Sequence, residues 1–172
     1  MESNIEKIST FLFEAHEAGD RFVNLEKDMK PKDFDEAYEV QTQLRQKLPR
    51  GSLGGYKIAL SSKIQQDYHK ISHPVYGGLF KNEIFNSPKT IVLKNYHRMS
   101  VEFELAFELS ERIIDPSIQR NPENIVHDIL NVLPAIELID DRGANYDGLD
   151  PLSLACDCLL YTSDAADELC SG

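Results

Sequence analysis

The chain has 172 residues, 41% hydrophobic and 27% charged, the make-up of one folded globular domain and not of a disordered or fibrous chain. Its formal net charge of -11, with 18 Lys and Arg scattered along it, excludes a nucleic-acid surface of the basic-patch kind. No run reaches the ~18 apolar residues of a membrane span and the acid-bearing N-terminus has no signal-peptide core, so a cytoplasmic chain without membrane contact is expected.

Helices come first. Ile5, Ile8, Leu12 and Ala15 recur at helical spacing, and Asp33 three residues before Glu36 predicts a capping box that opens a second helix with Phe34, Ala37, Tyr38 and Leu44 inward. Gly51, after Pro49, is expected to end it. Residues 54–60 then read as a strand, followed by a helical turn from Ser62 to Tyr68 and a loop over residues 73–78. Residues 90–93 predict a short strand. Strict alternation over VEFELAFEL, residues 101–109, predicts a longer one, with Glu102, Glu104, Ala106 and Glu108 on one face and Val101, Phe103, Leu105, Phe107 and Leu109 on the other.

Asn121-Pro122 has the look of a helix start, with Ile125, Val126, Ile129 and Leu130 as its apolar stripe and Pro134 as its end. Residues 135–139 predict a buried strand carrying one carboxylate, Glu137. The whole is α+β, read as an N-terminal helical segment (1–50) followed by a partial catalytic β-fold (51–157).

The tail departs from this pattern. Residues 158–168, CLLYTSDAADE, resemble the conceptual translation of a transposase-type sequencing adapter, so 158–172 is expected to be a non-native tail and the chain a truncated piece of a longer protein. Of the three cysteines, Cys156, Cys158 and Cys170, two fall in that tail, and their spacing matches neither a disulfide framework nor a four-ligand zinc site.

Glu102 and Glu104 stand at i and i+2 of one strand, about 7 Å apart at the backbone for a rise of ~3.3 Å per residue, close enough for both side chains to reach one hard cation. A water-bathed strand face gives the same pattern. Glu137 and Lys57 are charged residues set among apolar ones, which burial tolerates only with a partner or a metal. A buried lysine is also an acid/base candidate.

At these positions the sequence resembles the fumarylacetoacetate hydrolase superfamily, in particular its 2-keto-4-pentenoate hydratase group. The family's Gly-x-Lys segment stands here as Gly55-Tyr56-Lys57-Ile58-Ala59-Leu60-Ser61, its Pro-x-aromatic-Gly loop as Pro74-Val75-Tyr76-Gly77-Gly78-Leu79, its Glu-x-Glu strand as Glu102-Phe103-Glu104, and its Pro-Ala-x-Glu strand as Val132 to Glu137, followed by Arg142. The resemblance implies a mixed β-rich fold, here only its first half. It implies Mg2+ or Mn2+ on Glu102, Glu104 and Glu137, Lys57 as the catalytic group, and Leu60, Ser61, Tyr76 and Gly77 at the substrate.

The activity it implies is that of a hydro-lyase acting on a 2-oxo or 2-hydroxy alkenoate, such as 2-hydroxypenta-2,4-dienoate, in aromatic catabolism, by a protein that forms a homo-oligomer when full length. A 2-oxo-acid decarboxylase or C–C hydrolase of the same superfamily, or an inactive truncated fragment, is the alternative. Hydratases of the group carry an aspartate where this chain has Val75.

Other clusters take plainer readings. Gly51 to Lys57 lacks the glycine a phosphate loop needs before its lysine, where Tyr56 stands. The five histidines sit at no metal spacing and read as surface or capping residues. Glu108 is expected to face solvent or an interface. Asp140, Asp141, Asp147 and Asp150 read as a solvated loop, with Asp141 and Arg142 suggested at the pocket entrance.

Overall fold

The computed structural model describes residues 3–166, and for residues 161–166 the backbone alone. The first helix, α1, runs Asn4–Ala18 and is closed at one end by Ser3, whose side chain accepts from the Glu6 N–H, and at the other by Gly19 in the left-handed conformation (φ 69°). The second, α2, runs Phe34–Lys47, and Asp33 accepts from the Glu36 N–H. The reciprocal half of the predicted capping box forms one residue early, because the Glu36 carboxylate accepts from the Lys32 N–H. The helix ends at Lys47 with Leu48 as its cap, ahead of Pro49 and not at Gly51.

Ile8, Leu12, Ala37, Val40 and Leu44 from the two helices share one core cluster with Phe80, Ala155 and Cys156. The helical segment is thereby packed onto the rest of the chain.

Strand β1, Leu53–Ala59, pairs antiparallel with β2, Val75–Phe80, and the short α3, Lys63–His69, connects them behind a Ser62–Gln65 capping box. The predicted loop at 73–78 is therefore strand from Val75 onward. β-Branched Val75 and the Gly77-Gly78 pair lie on a strand whose inner positions are all buried, and pairing with β1 overrides the turn propensity of the glycines.

A second sheet has the order β3-β6-β5-β4: β3 Ile84–Asn86, β4 Met99–Leu109, β5 Ile129–Asp140 and β6 Tyr161–Ala166. The β4–β5 and β5–β6 pairs are antiparallel and β3–β6 is parallel. The strand expected at 90–93 is absent; a single 3-10 turn, Leu93–Asn95, stands there.

The helix expected from Asn121 to Pro134 is likewise replaced, by a 3-10 turn at Ile125–Asp128 and then the twelve residues of β5. Pro134 lies inside that strand, opposite Leu105.

A last helix, α4, Pro151–Cys156, is capped by Asp150 and packs against α2. After it, Cys158, Leu159 and Leu160 all adopt left-handed φ (55°, 59° and 69°) and are buried, two of them in a second cluster with Phe22, Val75, Ala144, Leu149 and Leu154. Left-handed backbone costs a non-glycine residue about 1–2 kcal/mol. The burial of these apolar side chains offsets that strain. No helix among the described residues is long and apolar enough to cross a membrane.

Candidate metal centre

Register brings the acidic positions together. Glu102 is paired directly with Glu137, and Glu104 with Ala135, so all three glutamates project from one face of the β4–β5 ribbon. Ala135 is buried and short, and the space a longer side chain would fill is open for Glu104 to lean toward Glu137. One carboxylate oxygen from each glutamate lies within 4.8 Å of the others. Glu137 is buried, Glu104 half-buried and Glu102 exposed, so the cluster opens to solvent on the Glu102 side.

Lys57 enters from the other sheet. Its inward position on β1 is 7% exposed, and its Nζ donates to Glu137 Oε1 at 3.2 Å and to the Leu159 carbonyl at 2.8 Å. One ammonium against three carboxylates leaves the cluster negative, the condition under which a hard divalent cation binds. Two ligands of one ion can stand no further apart than twice the metal–oxygen distance, about 4.2 Å for Mg2+ and ~4.8 Å for a larger cation of the Ca2+ kind. Small rotations of the carboxylates inward would bring all three oxygens onto one such ion.

The remaining positions implied by the resemblance are distributed unevenly. Gly77 is the cross-strand partner of Lys57. A Cβ added to it would stand 2.5 Å from the Cys158 carbonyl oxygen, so only glycine lets the chain after α4 pass beside Lys57. Tyr76 pairs with Ile58 on the opposite face of the ribbon, and its ring is stacked on Tyr38 at 3.9 Å between centroids, away from Lys57. Leu60 (φ 54°) packs into the second core cluster, and Ser61 is exposed. Their carbonyls accept from the Gln66 amide. Val75 lies on the face of Lys57 but contributes only a buried isopropyl group.

Two readings of neighbouring acids need correction. Asp140 and Asp141 are buried, not solvated. Burial pushes the Asp140 carboxyl up, but N–H donors from His97, Arg98 and Arg142 outweigh it and hold the group below its ordinary range. Asp150 caps α4 and pairs with Lys30.

His16, expected at the surface, is buried, with Nε2 2.6 Å from Asp157 Oδ1, while Arg142 Nη1 donates to Asp157 Oδ2 at 2.8 Å. With its proton on Nε2, His16 donates to Asp157 and its Nδ1 accepts from Arg50. Arg142 therefore holds the chain after α4 and does not line the metal cluster. Glu108 is exposed, as expected, and accepts from Asn131 across the hairpin.

No protein-family description matches the chain. Over 120 residues, 66% of its length, it is 36% identical to 2-oxo-hept-4-ene-1,7-dioate hydratase of Escherichia coli, 43% of which is covered. Over 144 residues, 82% of its length, it is 30% identical to the 2-keto-4-pentenoate hydratases of Paraburkholderia xenovorans and Pseudomonas putida, with 52% of each covered. The chain spans about half the length of these relatives. Its fold is similar to that of 4-oxalocrotonate decarboxylase from Pseudomonas putida, solved with magnesium and adipate (TM-score 0.77, 21% identity, 94% of this chain and 61% of that one) and with calcium and acetate (TM-score 0.76).

Proposed function

We propose that the chain is the metal-binding part of a lyase that acts on a 2-oxo or 2-hydroxy alkenoate in aromatic catabolism, adding water to a substrate such as 2-hydroxypenta-2,4-dienoate. The observation that carries this is the convergence of Glu102, Glu104 and Glu137 within 4.8 Å, with Lys57 on Glu137. The hydratase relatives and the decarboxylase fold, solved with magnesium and with calcium, support it. Mg2+ or Mn2+ on the three carboxylates would act as a Lewis acid toward a substrate carboxylate and 2-oxo oxygen, withdrawing charge as an enolate develops.

The chain's own groups do the rest. Glu102, Glu104 and Glu137 would hold that ion, and the exposed Glu102 side is where substrate would reach it. Lys57 Nζ, held between a carboxylate and a carbonyl, keeps a proton at the wall of the site and can pass it to a substrate carbon or oxygen arriving on the Glu102 side. Buried apolar surface behind Lys57 excludes water from that end.

A second reading, decarboxylation of a 2-oxo acid, has its own support. On the inner face of β1 and β2 the residue two positions before Gly77 is Val75, so no second acid accompanies Lys57 on that ribbon. Loss of CO2 needs one proton delivered to carbon, whereas hydration needs a base for water as well as an acid.

Calorimetric titration of the chain with Mg2+ and Mn2+ tests the metal reading. Saturable binding that falls at least tenfold in Glu104→Gln is expected. Binding unaltered by that change would overturn it. Loss of the dienoate absorbance against release of CO2 then separates the two reactions.

A further inference from the structure

Beyond Glu102 and Glu137, the end of the β4–β5 ribbon carries a cation. Register runs Glu102–Glu137, then Ser100–Ile139, and just past the last paired residues, Met99 and Asp140, Arg98 meets Asp141 in an ion pair. Arg98 Nε donates to Asp141 Oδ2 at 2.6 Å and its Nη2 to the Ala144 carbonyl at 3.1 Å. Asp141 is itself 1% exposed and is fixed by the Gly143 N–H and the Tyr146 hydroxyl. The guanidinium is therefore held in one orientation, yet its side chain is 55% exposed, and Nη1 has no hydrogen bond among the described residues.

Tyr146 borders both groups. Its ring centroid is 5.8 Å from the Arg98 guanidinium carbon. Burial, then the charge of Asp141 and more weakly that of Glu102, pushes its phenol up, as expected for a ring between the arginine and the carboxylate cluster. Between Arg98 and Glu102 the same-face side chain on β4 is the small, exposed Ser100, with Ile139 across from it. The two backbones are ~13 Å apart at ~3.3 Å per residue, and both long side chains shorten that span.

We propose that Arg98 is a specificity-determining residue that binds the distal carboxylate of a dicarboxylic substrate whose 2-oxo acid end lies at Glu102, Glu104 and Glu137. This rests on the metal reading above and narrows it from alkenoates in general to alkenedioates. The electrostatic argument is simple. A chain of net charge -11 repels a dianion, and one divalent ion together with Lys57 does no more than neutralise the three carboxylates at the near end. A second carboxylate gains affinity only where a fixed donor meets it, and an arginine already oriented by a buried aspartate loses little entropy in doing so.

Adipate and hexanoate, six-carbon chains differing in one carboxylate, separate the possibilities when titrated into the Mg2+-loaded chain. Adipate is expected to bind about tenfold more tightly than hexanoate, with that ratio falling toward one in Arg98→Gln and partly restored in Arg98→Lys. A purely structural clamp predicts that both ligands weaken together and the ratio stays. If Arg98→Gln does not fold, the wild-type chain still decides: the Arg98 Nε–H resonance must shift with adipate and not with hexanoate. Equal binding of the two acids, or an unmoved resonance, overturns the proposal. Failure of Mg2+ itself to bind overturns the metal reading instead, and the two failures are read in separate titrations.

Discussion

Lys57 and Glu137 stand 80 residues apart in sequence and in different sheets, yet Nζ lies 3.2 Å from Oε1 with both side chains under 10% exposed. This ion pair joins the β1–β2 ribbon to the β4–β5 ribbon at the inner wall of the carboxylate cluster. An ammonium here does part of what a metal would do, since it offsets charge on the most buried of the three glutamates.

Removing that ammonium separates its structural role from its chemical one. Lys57→Met keeps the volume but leaves Glu137 buried without its partner, and breaking a buried pair on one side costs about 3–5 kcal/mol. Thermal melting without metal should show a fall of that order. Because the uncompensated carboxylate then attracts a cation more strongly, Mg2+ should raise the melting temperature of Lys57→Met by more than it raises that of the wild type. An equal Mg2+ increment in both would separate Lys57 from the metal cluster.

Ala135 offers a test that alters no charge. It lies directly across from Glu104, and its small side chain leaves the room in which Glu104 leans toward Glu137. Ala135→Leu fills that room at an overpacking cost of about 1–3 kcal/mol. Calorimetric Mg2+ affinity is expected to fall at least tenfold in a variant that remains folded by circular dichroism. Unchanged affinity would mean that the glutamates meet without that gap.

Some of this geometry is local in origin and so was legible in the sequence. The alternation of residues 101–109 fixes which side chains share a face with no tertiary information, because the strand period is two. Charged Lys57 and Glu137 among apolar neighbours likewise announced buried partners. What sequence hid was long-range. Arg98 and Asp141 are 43 residues apart and meet only because the pairing of β4 with β5 brings the ends of those strands together, and His16 meets Asp157 across 141 residues.

The 121–134 segment misleads for a different reason. Ile125, Val126, Ile129 and Leu130 fall at helical spacing, and a proline nine residues after Ile125 looks like a stop. Pairing with the eleven residues of β4 decides the strand instead, and Pro134 is accommodated within it opposite Leu105. The resemblance puts the aromatic of the Pro-x-aromatic-Gly motif at the substrate. Alternation along β2 turns its ring to the other face, while Gly77 stays opposite Lys57.

The face of β4 opposite the glutamates carries Phe103 at 87% exposure and Leu105 at 65%, with Phe107 and Leu109 also exposed, as are Leu130 and Val132 on the paired β5. An apolar face of this kind beside the open edge of β4 favours association. Sedimentation of the chain should show mass rising with concentration, and Phe103→Lys with Leu105→Lys should suppress that rise while Mg2+ binding persists, since those side chains point away from Glu102 and Glu104. Association unaffected by the double change would place the contact elsewhere.

Acid sensitivity should trace to Asp157. Burial pushes its carboxyl up, but the His16 and Arg142 partners outweigh that and hold it below its ordinary value. A depressed folded-state pKa gives stability that is complete above the unfolded-state value of ~3.9 and is lost as pH falls through the folded value. The wild type should therefore hold its melting temperature down to about pH 4 and lose it progressively below. In Asp157→Asn, Arg142 keeps its charge with no carboxylate beside it, a loss of about 3–5 kcal/mol at neutral pH. The acid limb of that variant should be shallower, because the group whose protonation drives it is gone. If melting temperature against pH has the same slope below pH 4 in both proteins, the acid lability lies in other carboxylates, Asp140 first among them for its several N–H donors.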